Sequence, residues 1–159
     1  MKWIAYVACF VGAIGCTSAS RSAIEQTCLF WSGAPVPVTA SDTAPPPVAQ
    51  KVRYDVTLPL TDVVRGTNWG RLSFLAPFNS EYIAATSPGV GLEVSTAQVT
   101  PLGPICDGQA EGHLVTLSAL AYEVRLDNVA APSTGLVLVE NRSRRRTSGG
   151  GGGGDLDFD

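Results

Sequence analysis

The sequence predicts an all-β protein, a small antiparallel β-sandwich of about six to seven short strands, on three observations. Apolar residues recur with a period of two in several short runs. Clusters of Gly, Pro and Asn punctuate those runs. No stretch repeats its apolar residues convincingly with the helical period.

Taken in order, residues 24–31 are apolar enough to be the first structured piece, with Cys28 in their middle. Residues 32–50 are dominated by Pro, Ala, Ser and Thr and include Pro45-Pro46-Pro47, which reads as an extended connector packed over one face or left flexible. In 52–58, Val52, Tyr54, Val56 and Leu58 alternate with Arg53, Asp55 and Thr57, the pattern of a half-buried strand ended by Pro59. Residues 61–70 contain Gly66, Asn68 and Gly70 and read as a loop. A second strand covers 71–76 up to Pro77, and a third covers 81–86 up to the turn Ser87-Pro88-Gly89. In 91–99, Leu92, Val94 and Thr96 share a face, and a loop over 101–108 carries Cys106. Residues 113–126 read as one long strand with a bend near Ser118, in which Leu120, Tyr122, Val124 and Leu126 oppose Glu123 and Arg125. After a turn region, 135–140 supply the last strand. There is no internal repeat.

The N-terminus sets the compartment. Lys2 is followed by an uncharged run over 3–15, a charged start and a short apolar core that cannot span a bilayer as a helix. The run ends Ala13-Ile14-Gly15-Cys16, which resembles the lipobox of bacterial lipoproteins over residues 1–16. Ala13 departs from that family, which usually carries leucine there. The resemblance implies a signal peptide at 1–15, a diacylglycerol on the Cys16 thiol, an acylated new N-terminus and a tether over 16–23. Thr17, in place of the aspartate that retains such proteins at the inner membrane, implies an outer-membrane or cell-surface location in the bacterial envelope. The alternatives are ordinary cleavage after the small-residue pair Thr17 and Ala19, with the product secreted, and an uncleaved anchor or buried N-terminal helix.

Removing 15 of the 159 residues leaves 144, enough for one domain with a real core, placed at 24–141. The formal charge of −3 becomes −4 when Lys2 leaves, and a mildly acidic body argues against a nucleic-acid partner. Cys9 departs with the leader and Cys16 is lipidated or removed, so Cys28 and Cys106 remain as a pair expected to oxidise in an exported protein, or else as buried thiols. From 142 to 159, four arginines, six glycines and Asp155-Leu156-Asp157-Phe158-Asp159 form a tail too rich in backbone freedom to order itself. Its sharper reading is a docking peptide for a sheet edge, led by Leu156 and Phe158.

Chemistry is sparse. His113 is the only histidine, and its spacing from Cys106 and Asp107 fits no metal pattern, so neither a metal nor a cofactor is expected. No Gly-x-Ser-x-Gly elbow is present and no phosphate-binding glycine motif occurs in the body, while the glycine run at 149–154 is terminal, with no strand before it and no helix after it. Flat exposed rings are the other means by which a sandwich binds. Trp69 in its loop is the first candidate, with Arg71 beside it and Phe78 in the next loop. The expected function is a non-enzymatic binding or scaffold module of the envelope, held on its membrane by the lipid and taking a protein or glycan partner. The alternative is a small secreted hydrolase whose carboxylates or serine converge only in the fold.

Overall fold

The computed structural model describes residues 21–142 and lays eleven strands into two facing sheets, with one helix outside them. The chain begins with α1 (Arg21–Trp31) and continues through β1 (Val36–Thr39), β2 (Pro47–Val48), β3 (Tyr54–Thr57) and β4 (Leu60–Asp62). The longer strands follow: β5 (Thr67–Leu75), β6 (Ser80–Thr86), β7 (Gly91–Val94), β8 (Val99–Ile105), β9 (Ala110–Leu117), β10 (Ala121–Val129) and β11 (Ser133–Glu140). Sheet A is six-stranded in the order β1-β3-β11-β6-β9-β8. Sheet B has five strands, in the order β2-β5-β10-β7 with β4 also on β5. The fold is therefore the expected all-β sandwich.

Its strands are more numerous than the six to seven expected, and not all are antiparallel. β1 runs parallel to β3, and β2 runs parallel to β5. Both come from the proline-rich connector at 32–50, and both lie at sheet edges, where a residue without an N–H leaves no ladder bond unmade. The same rule corrects the loop expected at 101–108. Pro101 and Pro104 belong to β8, the opposite edge of sheet A, with a register shift before Gly103 at φ +83°. Nor is 113–126 a single bent strand. It breaks at 118–120, so that β9 lies in sheet A and β10 in sheet B. Alternation alone could not show that break, because the apolar residues on both sides of it face the same interior.

Helix α1 corrects the absence of a helix and takes up residues 21–23 of the tether expected at 16–23, whose first part lies outside the described residues. Ala23, Thr27 and Trp31 recur every four residues, and all three are buried. The Thr27 hydroxyl donates to the Ala23 carbonyl at 2.8 Å, which satisfies a polar group that would otherwise count against burial. A lone 11-residue helix is marginal in water, so packing holds this one. It covers the outer face of sheet A, joining Ile83, Ala85, Leu114, Val137 and Val139 in a second core.

The main core lies between the sheets, with Leu72, Phe74, Tyr82, Ala84, Val115, Leu126 and Leu136 among its members. Phe74 and Tyr82 meet edge to face at 5.6 Å. β11 and β6 are consequently buried on both faces, which explains the unbroken run of buried residues 136–139. Each buried aliphatic side chain contributes about 1.5–3 kcal/mol relative to exposure. Three tyrosines secure loops with their hydroxyls: Tyr54 accepts from Ala49 N, Tyr122 accepts from Ser118 N, and Tyr82 donates to the Phe78 carbonyl.

The disulfide between Cys28 and Cys106 is present, its Cα atoms 5.1 Å apart across a sequence separation of 78. It staples α1 to the 3₁₀ turn Cys106–Gly108 at the end of β8. Closing so long a loop in the unfolded chain contributes about 4 kcal/mol in the chain-entropy account.

Candidate functional site

The two outer faces of the sandwich differ. Sheet A is covered by α1, whereas along β5 the residues Trp69, Arg71, Ser73 and Leu75 turn outward and Gly70, Leu72, Phe74 and Ala76 are buried. Trp69 therefore lies on a strand, in a hairpin with β4 in which Leu60 faces it, and not in the loop expected at 61–70. Gly70 is needed there. A Cβ at that position would stand 2.5 Å from Ala40 Cβ, so glycine lets the chain cross close beside the edge of β5, where Ser41 N donates to the Arg71 carbonyl at 3.0 Å.

That crossing delivers Asp42 to Arg71 at 3.3 Å, and Arg71 Nε also meets Glu123 at 3.3 Å. Arg71 stands directly across from Arg125 on β10, and Arg125 across from Glu93 on β7. Two like charges opposed on a sheet cost stability unless something offsets them. Here both lean on the same ring: the Arg71 guanidinium carbon is 5.6 Å from the Trp69 ring centroid and that of Arg125 is 4.8 Å away. Arg125 Nε is also 3.6 Å from Asp127. Both Nε atoms are closed to water without a hydrogen-bond acceptor, so the carboxylates hold them by charge at somewhat longer range. A shallow groove of about 460 Å³ opens beside this cluster, lined by Arg71, Glu93 and Arg125 and by the apolar Leu92, Val94 and Val99.

No known protein family, no curated protein and no solved structure matches this chain. The geometry stands by itself.

Of the residues singled out by sequence, Trp69 and Arg71 are brought together. Phe78 is not. It lies in the β5–β6 connection beyond Leu75, the far end of β5, which is itself about 20 Å from Trp69 at the rise of a strand. Arg125, Glu93, Asp127 and Asp42 were missed, because only the pairing of β5 with β10 and β7 carries them to the tryptophan. Cys16, the signal peptide at 1–15 and the tail after Arg142 lie outside the described residues.

His113 is buried in the sandwich with its Nε2 at 3.3 Å from the Thr86 hydroxyl. Burial lowers its pKa below the usual 6.5, against a smaller opposing pull from Glu111. Among the described residues, no three His, Cys, Asp or Glu side chains gather as a metal site. No helix among them is long and apolar enough to cross a membrane. A closed disulfide is compatible with an extracellular or otherwise oxidising compartment.

Proposed function

We propose that this chain is an exported, non-enzymatic envelope protein, tethered by a lipid on Cys16, that binds a protein partner through the outer face of sheet B. The observation that carries the reading is the Trp69 ring shared by Arg71 and Arg125 on an otherwise uncovered sheet. Trp and Arg dominate the energetics of protein interfaces, because each offers a large surface and a polar edge. The ion pairs with Asp42, Glu123 and Asp127 hold both guanidinium groups in place before a partner arrives, which lowers the cost of ordering them. A protein fits better than a glycan: two guanidinium groups already occupy the ring against which a sugar would stack. The hydrolase alternative gains no support from His113, whose ring nitrogen meets Thr86 in the interior.

A photo-crosslinking residue at Ser73, on the same face as Trp69, tests this in cells expressing the full chain. It is expected to give a discrete adduct that disappears with Trp69→Ala or Arg125→Ala. The same probe at Glu25, an exposed residue on α1, serves as the reference. Equal labelling from Glu25 and Ser73, or an adduct indifferent to both substitutions, would refute the assignment.

A further inference from the structure

We infer that the pole of the sandwich where β5, β9 and β11 end is turned to the lipid bilayer, with Leu75 and Leu120 entering its interfacial layer. This deepens the proposed function and rests on acylation of Cys16. Three pairings define the pole: Leu75 with Ala121, Leu117 with Ser80, and Glu140 with Tyr82. Leu75 is 68% exposed and Leu120 is 61% exposed, and Ala76 N donates to the Leu120 carbonyl at 2.9 Å, so the two leucines are neighbours. Phe78, 39% exposed, lies in the connection at the same pole.

Scattered exposed leucines need no explanation. What distinguishes these is where the described chain begins and stops. β11 ends at Glu140, Asn141 N donates to the Glu81 carbonyl, and Arg142 follows with its Nε 3.6 Å from Glu140. At the other end of the same strand, Trp31 closes over Gly135, and Cys28 is bonded to Cys106 next to the pairing of Ile105 with Ala110. The C-terminal half of α1 is therefore far from the pole. A helix of 11 residues rises about 16 Å, and Ala23 near its start shares the outer core with Ile83 and Val139, the pair next to Glu140 and Tyr82 at the end of β11. Both ends of the described chain thus emerge at one pole.

Only residues 17–20 separate Cys16 from α1, a reach of at most about 17 Å for five extended steps. An acylated Cys16 leaves the domain no room to turn this pole away from the membrane. Arg142 and the following Arg144, Arg145 and Arg146 suit an anionic surface, at about 1 kcal/mol per basic residue near it. Trp69, at the opposite end of β5, is by the same geometry directed away from the lipid and open to a partner.

The test uses the full chain, processed in a Gram-negative host and reconstituted into phosphatidylethanolamine–phosphatidylglycerol vesicles with or without brominated acyl chains. Intact mass first reports whether Cys16 carries lipid. In acylated protein, Leu120→Trp and separately Leu75→Trp are expected to lose about half of their added emission to bromines 5–10 Å below the headgroups, while Trp31 and Trp69 of the parent chain keep theirs. Acylated protein with no extra quenching at either site overturns the orientation and leaves the anchor standing. Blue-shifted but unquenched emission, the sign of cover by Leu156 and Phe158 or by a second copy, overturns it too. Absence of acyl mass removes the anchor and the orientation together.

Discussion

Two tryptophans meet arginines on opposite outer faces of this sandwich, and their surroundings give them different work. Trp31 is 5% exposed, with the Arg53 guanidinium 5.2 Å from its ring centroid. Arg53 also donates to the Trp31 carbonyl at 2.6 Å and to the Gly33 carbonyl at 3.3 Å, a cation seated at the helix C-terminus. Trp69 has two arginines and remains partly exposed on a sheet that nothing among the described residues covers. The same residue pair is a clamp where its tryptophan ends a helix packed on the sheet and a presented surface where no helix is packed. Chemistry of side chains alone does not separate structure from function here; the layer above them does.

The comparison can be broken by substitution. Trp31→Ala removes a buried ring that fills the space over Gly135, and is expected to cost about 4 kcal/mol in denaturant unfolding with partner capture unchanged. The paired Cys28→Ser and Cys106→Ser exchange should cost about 3 kcal/mol, and reductant should shift the unfolding midpoint of the parent protein but not of this variant. On the other face, Trp69→Ala should cost no more than about 1 kcal/mol and abolish crosslinking from Ser73. If it destabilises the fold as much as Trp31→Ala, the outer face of sheet B is structural after all.

A pH series sharpens the picture of the interior between the two faces. Because burial lowers the pKa of His113, the unfolded chain binds more protons below about 6.5 than the folded one does. Stability is then fully present above that pH and declines as pH falls from it toward the folded value. His113→Gln should flatten the decline, as read from urea midpoints between pH 7.5 and 5.5. The smallest effect is expected at the β4–β5 tip, where Val63 and Val64 are 90% and 96% exposed, and Val63→Ser or Val64→Ser should change stability by less than about 0.5 kcal/mol.

What sequence could show was what depends on neighbours along the chain. Tyr54 and Val56 alternate with exposed Asp55 and Thr57 as a half-buried strand must, and β3 lies within the expected strand. Helix α1 was hidden because its buried face is completed by Thr27, polar by type but satisfied by its own backbone. The edge strands β1 and β2 were hidden by prolines, which forbid a central strand but not an edge. The site was half legible. Trp69 and Arg71 are two residues apart and could be seen together, whereas Arg125 is 54 positions from Arg71 and reaches it only through strand pairing.

The place of β11 in sheet A has a bearing on how the molecule is made. The last strand of the domain sits between β3 and β6, and the first element, α1, packs against it. A ribosome releases these two at opposite ends of synthesis. Until residue 140 has emerged, the middle of sheet A is missing, the helix has no bed and the two cysteines have no fixed distance between them. The sheet therefore closes only when the last strand is in place, and the export proposed above would ask the chain to cross a membrane before that point.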